Sequence, residues 1–170
     1  MAKPAPGTPS NYNALMPYLR VHDAKAALAF YKKAFGAKER FHLTMAGRVG
    51  HAEIDIGGAV IMFSDEFPDM GVIGPKTLKG TSVTLALMVK DCDVAVKKAV
   101  TAGAKVKRPP TDEFYGDRSA SIEDPFGHEW MLQQTIETVS PKEMQRRLDA
   151  MMAQPMSDPP PPKMKTARKS

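Results

Sequence analysis

"LRVHDAKAALAFYKKAFGAK" (residues 19–38) and "LMVKDCDVAVKKAVTAGAKV" (residues 87–106) are two versions of one pattern, and the fold follows from their likeness. Val21 and Asp23 fall 68 positions before Val89 and Asp91, and Gly36-Ala37 falls 67 before Gly103-Ala104. The repeat extends further. "GGAVIM" (57–62) lies 69 positions before "FGHEWM" (126–131), so Gly58 corresponds to Gly127 and Met62 to Met131. Spacing that hardly drifts between separate segments indicates a duplicated module of about 65 residues.

Each module opens with a short strand. In "SVTLALMV" (82–89) the positions Val83, Leu85, Leu87 and Val89 are apolar, which assigns one face to a core and leaves Ser82, Thr84, Ala86 and Met88 opposite. A helix follows, with Asp23 in the first module and Asp91 or Asp93 in the second suited to cap it. Ala27, Phe30, Tyr31 and Ala34 recur at helical spacing until Gly36 supplies the stop. "KERFHLTM", "GRVGHAEIDIG" and "AVIMFSD" then read as three strands separated by "AG" and "GG" turns. The order is βαβββ, twice. The expected organisation is a flexible tail at 1–12, a first module at 13–70, a linker or lid at 71–81, a second module at 82–138, a C-terminal helix at 139–153 and a disordered tail at 154–170.

Composition narrows the function. The 170 residues are 42% hydrophobic and 25% charged, ordinary for a globular chain, and the 15 prolines cluster towards the ends. The single cysteine, Cys92, excludes an intramolecular disulfide and a thiolate zinc cluster and agrees with a reducing cytosol. No apolar run reaches the roughly 20 residues that cross a bilayer, and "MAKPAPGTPS" lacks the apolar core of a secretory signal. A cytoplasmic protein with no membrane partner is expected. The net charge of +5 raises a nucleic-acid partner as a remote alternative. However, Lys163, Lys165, Arg168 and Lys169 outweigh Asp158 in the proline-rich "SDPPPPKMKTARKS", so the body of the chain is close to neutral.

Taken with "SDEFPDMG", "DEFYGDR" and "EDPFGHEWML", the repeat resembles the vicinal oxygen chelate superfamily, which includes glyoxalase I, extradiol dioxygenases, fosfomycin resistance enzymes and bleomycin resistance proteins. Within it, the likeness is to the glyoxalase-like branch related to the phosphonate-operon protein of enteric bacteria, over about residues 13 to 150. The resemblance implies an α+β fold of two tandem βαβββ modules forming a curved mixed sheet around a concave pocket, helices on the outer side, usually as a homodimer. Metal-dependent members take one ligand from the first and last strand of each module. Carried over by the flanking motifs, those positions are Met16, Met62, Thr84 and Met131. Three thioethers and a hydroxyl do not suit Mg²⁺, Mn²⁺ or Fe²⁺, so no cofactor is expected.

The remaining candidates follow from strand parity. If Ala52, Ile54 and Ile56 face the core, His51, Glu53 and Asp55 share the opposite face. Neighbours on that face stand almost 7 Å apart, too far for all three to reach one ion unaided. His51 and Glu53 are therefore candidates for polar or acid-base contacts with an organic molecule, or for a half-solvated strand face. The same parity places Met16, Tyr18 and Arg20 on the first strand, Val60, Met62 and Ser64 on the fourth, Thr84, Ala86 and Met88 on the fifth, and Glu129, Met131 and Gln133 on the eighth. Adaptable methionines edged by a Tyr, an Arg and a Glu suit an irregular organic ligand, or simply fill the trough. In "PPTDEFYGDR", Phe114, Tyr115 and Arg118 are candidates for a loop that contacts ligand, with an Asp117–Arg118 ion pair or turn as the alternative. His128 reads as a core-edge histidine, His22 as a surface residue and Cys92 as a passive thiol at a helix start. His42 is open to either side.

Two functions compete. One is a metal-independent binding protein for a small organic molecule, of the glyoxalase and bleomycin-resistance type. The other is an enzyme, an isomerase, lyase or dioxygenase with a metal at displaced ligands such as His51, Glu53 and Glu129.

Overall fold

Two copies of the βαβββ order are present in the computed structural model, which describes residues 12–153. The expected tail at 1–12, Tyr12 excepted, and the tail at 154–170 lie outside the described residues. The first module comprises β1 (Tyr18–Val21), α1 (Ala24–Phe35), β2 (Lys38–Met45), β3 (Arg48–Ile56) and β4 (Ala59–Asp65). A 3₁₀ turn (Pro68–Met70) and the short helix α2 (Pro75–Leu78) lead to β5 (Thr84–Met88), α3 (Cys92–Ala102), β6 (Lys105–Asp112), β7 (Asp117–Glu123) and β8 (Glu129–Thr135); α4 (Pro141–Met152) follows.

Local chemistry sets the boundaries. The Asp23 carboxylate accepts the Ala26 amide at the start of α1, and Asp91, not Asp93, accepts the Val94 amide at the start of α3. Gly36 and Gly103 close the two helices with φ of 68° and 118°, a left-handed conformation that costs glycine little. The duplication is visible in the hydrogen-bond register. Tyr18 stands opposite Met62 between parallel β1 and β4, and Ala86 opposite Met131 between parallel β5 and β8, the same pairs displaced by the repeat. Strand orders are β1-β4-β3-β2 and β5-β8-β7-β6.

The strands form two four-stranded sheets rather than one continuous curve, because the edges of β1 and β5 are not hydrogen-bonded to each other. The connection between modules is docked there instead. Buried Glu66 accepts the Gly74 amide at 2.8 Å and the Thr77 hydroxyl at 2.7 Å. Gly74 approaches β1 so closely that a Cβ would sit 2.3 Å from the Arg20 carbonyl oxygen. On their other flank the sheets share a single core. Helices α1 and α3 pack together, and Phe30, Tyr31, Phe63, Ile54, Ile122, Phe126, Trp130 and Leu132 belong to one buried cluster. The polar faces of both sheets therefore lie on the sides away from that core.

Asp124, in the "EDPFGHEW" segment, joins the modules. Its carboxylate is buried and accepts the Tyr31 hydroxyl of α1 at 2.9 Å, the Trp130 indole N–H at 3.0 Å and the amides of Phe126 and His128 at 2.9 Å. Burial, then the nearby carboxylate, pushes the Tyr31 phenol well above its ordinary range, so it remains a donor. Asp124→Ala leaves four buried donors without this acceptor, at about 1–3 kcal/mol each before relaxation. Urea unfolding should show a loss above about 4 kcal/mol, against less than about 0.5 kcal/mol for the control Asp69→Ala in the exposed 3₁₀ turn.

Candidate ligand site

Alternation along β3 buries Ala52, Ile54 and Ile56 and turns His51, Glu53 and Asp55 to the face away from the helices. Cross-strand register lays a row over that face, from Tyr18 through Met62 and Glu53 to Phe41. Arg20 stands opposite Ser64 and His51 opposite Leu43 on the same face. A bulge between Glu39 and Phe41 brings in Arg40, whose guanidinium reaches Asp55 at 3.2 Å and Glu53 at 3.5 Å.

Glu53, only 3% exposed, is the centre of a polar chain. The Tyr12 hydroxyl donates to it at 2.7 Å, and His51 Nε2 lies 3.2 Å from its other oxygen. An ionised carboxylate only accepts, so Nε2 carries the proton. In the neutral ring, Nδ1 then accepts from the Tyr18 hydroxyl at 2.9 Å. Burial pushes the Glu53 carboxyl up, but hydrogen bonds from Tyr12 and His51 and the charges of His51 and Arg40 outweigh it, holding the group below the usual carboxylate range. The hydrogen bond to Glu53, then burial, raises the Tyr12 phenol.

Beside this chain a cavity of about 590 Å³ opens between the edges of β1 and β5. Leu19, Ile73, Pro75, Leu78, Val83 and Leu85 give it apolar walls, and Tyr18, Arg20, Thr81, Ser82 and His128 give it polar ones. Val83 was expected to face the core with Leu85 and Leu87. It precedes β5 and is 61% exposed, lining the cavity instead. Arg20 donates to the Ser64 hydroxyl at 2.6 Å, and its guanidinium carbon lies 4.1 Å from the centroid of the Tyr18 ring. His128 is buried, and its Nε2 donates to the Arg20 carbonyl at 3.0 Å, a link between modules that parity alone does not reveal. A second hollow of about 380 Å³ is lined by Lys76, Lys79, Lys107, Glu123 and Glu129.

The other candidates are dispersed. Thr84, Met88, Glu129 and Met131 lie on the open face of the second sheet, with Thr84 opposite Glu129 and Met88 opposite Gln133. Met16 stands before β1 and is half-buried, and Met62 pairs with Tyr18. Most of "PPTDEFYGDR" is strand and hairpin, with the Phe114 and Tyr115 rings edge to face at 5.1 Å. Arg118 grips Asp93 at 2.6 and 3.1 Å and Asp112 at 2.6 Å, while Asp117 accepts from Gln133. Cys92 is buried, and burial, then the Asp93 carboxylate, raises its thiol, the opposite of an activated nucleophile. His22 is exposed beside Phe126, and His42 is exposed beside Glu39.

These donors do not fit a family-type metal. Met16, Met62, Thr84 and Met131 supply thioethers and a hydroxyl. The displaced set fares no better: His51 and Glu53 touch, but Glu129 belongs to the other sheet. Among the described residues, no group of three His, Cys, Asp or Glu side chains is arranged to hold an ion.

The sequence profile of the Glyoxalase/Bleomycin resistance protein/Dioxygenase superfamily matches residues 12–132. An uncharacterized protein of Mycobacterium bovis is 38% identical over 141 residues, covering 81% of this chain and 93% of that protein. Among solved structures, an Arabidopsis thaliana gene product superposes with a TM-score of 0.56 at 30% identity, covering 69% of this chain and 93% of that one. TioX from Micromonospora sp. ML1 shares the fold with a TM-score of 0.58 at 24% identity, covering 71% and 97%.

The polar chain gives acid pH a specific target. Because the folded Glu53 carboxyl titrates below its ordinary range, its contribution is fully present above the unfolded value of 4.5 and is lost as pH falls through the lower folded value. Glu53→Gln should melt several degrees lower at pH 7, on the order of 1–3 kcal/mol for hydrogen bonds to a charged group. The deficit should shrink as pH falls below 4.5, which melting curves from pH 3 to 7 would show.

Proposed function

Because the chain belongs to the glyoxalase/bleomycin resistance protein/dioxygenase superfamily, we propose that it binds a small organic molecule without the metal used by other members, as a cytoplasmic homodimer of the branch related to the phosphonate-operon protein. The observation that carries this reading is the cavity of about 590 Å³ opening beside the Tyr18–His51–Glu53 chain. Its size is within the range of small-molecule sites, and apolar walls with a few convergent polar groups are how such sites combine affinity with orientation. Met62 and Met131, where family ligands would stand, do not line this cavity and offer soft, adaptable surface on the open faces of the two sheets.

A second copy is proposed because the open faces of both sheets carry exposed apolar side chains. On them Leu43, Met45 and Met88 are 60%, 53% and 58% exposed, and Phe41 and Tyr18 are each 41% exposed. Apolar side chains clustered on a sheet call for a cover. Sedimentation equilibrium at micromolar concentration should give twice 18.6 kDa, and Leu43→Lys should move the population towards the monomer; a wild-type monomer throughout would refute the homodimer.

The catalytic reading has one observation in its favour, the hydrogen-bonded His51–Glu53 pair, and it requires a metal drawn to His51, Glu53 and Glu129. Metal content separates the two. A specific ion at 100 times its dissociation constant adds about 2.7 kcal/mol to stability. Under the binding reading, Mn²⁺, Ni²⁺, Zn²⁺ and Fe²⁺ should produce no such rise in melting temperature, and elemental analysis of chelator-free protein should find less than stoichiometric metal. Stoichiometric metal lost in His51→Ala would establish the enzyme instead.

A further inference from the structure

Arg20 is placed to do more than line the cavity. Its guanidinium has no carboxylate within ion-pair distance among the described residues, whereas Arg40, Arg108, Arg118, Arg146 and Arg147 each hold one or more. Among the described residues its guanidinium donates to Ser64 Oγ at 2.6 Å, and it rests over the Tyr18 ring. The Ser64 side chain is buried and donates onward to the Asp65 carbonyl at 2.9 Å, so the group that steers Arg20 is itself held. A planar fork with five N–H donors, one of them engaged, keeps its charge and most of its donors for something else.

The surroundings say what that is. Arg20 and Tyr18 line the cavity between β1 and β5 with the apolar Leu19, Ile73, Leu78, Val83 and Leu85, and Thr81, Ser82 and His128 are its other polar residues. The nearest acids are committed elsewhere. Asp65 accepts the Ala24 and Val49 amides, Glu66 accepts from Gly74 and Thr77, and Glu53 is paired with Arg40 and accepts from Tyr12 and His51. None of these three lines the cavity. His128 spends Nε2 on the Arg20 carbonyl and so fixes the backbone beneath the cation.

We propose that this cavity selects an amphiphilic organic anion, an apolar body bearing one carboxylate or sulfonate that takes the free edge of the Arg20 fork. This rests on the small-molecule reading and adds the charge and shape of the ligand to it. A neutral ligand would leave a preorganised cation unanswered at the mouth of an apolar space. A strongly hydrophilic polyanion would leave those walls without apolar contact and would find one cation, Arg20, among the described lining residues. A bidentate, charge-assisted contact held in advance by Ser64 and Tyr18 loses little freedom on binding.

A matched pair of dyes tests this on the full-length protein. 8-Anilinonaphthalene-1-sulfonate and N-phenyl-1-naphthylamine share an apolar body, and only the first carries a sulfonate. The wild-type protein should bind both by fluorescence titration, the sulfonate more tightly. Arg20→Met should weaken the sulfonate dye at least tenfold while changing the neutral dye less than threefold, and Arg20→Lys, which keeps the charge without the fork, should fall between them. Circular dichroism melts verify that the variants fold. Leu85→Lys, which puts a second cation into the walls, should weaken the neutral dye at least tenfold. If both dyes bind and Arg20→Met affects them equally or not at all, the anion proposal is overturned and the binding site survives. If neither binds, or Leu85→Lys leaves both unchanged, the cavity is not a ligand site and both readings fall.

Discussion

A carboxylate with four donors is the constraint on which the two-module arrangement depends. Asp124 sits in the turn before β8 and is 1% exposed, a position in which an anion is costly unless its lone pairs are filled. The turn supplies two backbone amides and β8 an indole, but the fourth donor, Tyr31, comes from the other module. Tyr31 is itself ringed by Phe30, Phe35, Phe63, Phe126 and Trp130. Neither module satisfies its part of this arrangement alone, and hence α1 packs against α3 and reaches Trp130 of β8 through the Tyr31 and Phe35 rings. The location of the open faces follows from that packing.

Much of this architecture was legible in the sequence because it rests on period and spacing. The 68- and 69-residue offsets gave the two modules, since a strand keeps its parity and a helix its caps whatever surrounds them, and the structure repeats the hydrogen-bond register at the same offsets. The face carrying His51 and Glu53 with Tyr18, Arg20 and Met62 was legible for the same reason. The parts that were not legible depend on where one module sits against the other. The gap between β1 and β5 arises from the docked segment at Gly74, and no local pattern announces that Gly74 lies against the Arg20 carbonyl. Tyr12 and Arg40 were missed because one precedes the first strand and the other projects from a bulge, which breaks the alternation that parity relies on. Arg118 shows the converse: "DEFYGDR" looks like a contact loop, yet its arginine is spent tying β7 to α3 and β6.

The chemistry on the two open faces is uneven. The first carries a continuous chain from Tyr12 through Glu53 and His51 to Tyr18, with Arg40 as its cation. The corresponding part of the second carries Thr84, Ala86 and Met88 on β5 opposite Glu129, Met131 and Gln133 on β8, with Ser119 and Ser121 beside them. Duplication supplied the same scaffold twice and the side chains on it diverged: beside these residues Arg108 donates to Glu113 and, at 2.6 Å, to Ser119, whose Oγ lies 3.3 Å from the Tyr115 hydroxyl, so each sheet carries a polar cluster of its own.

The residue proposed to grip it is mounted on the joint between modules. The Arg20 side chain points to Ser64 and Tyr18, while its carbonyl oxygen accepts from His128 of the second module and lies against Gly74 of the connection. The backbone contacts that seat one module against the other therefore also set where the guanidinium stands. A β-strand transmits such constraints well, since its backbone groups lie in the sheet and its side chains stand across it. Asp124 bears on the same point, because it accepts the amide of His128 and so positions the ring that reaches Arg20. Core, module interface and cavity thus meet within one strand and one turn, and a charge held at that meeting point is oriented by groups that the fold must keep in place for its own stability.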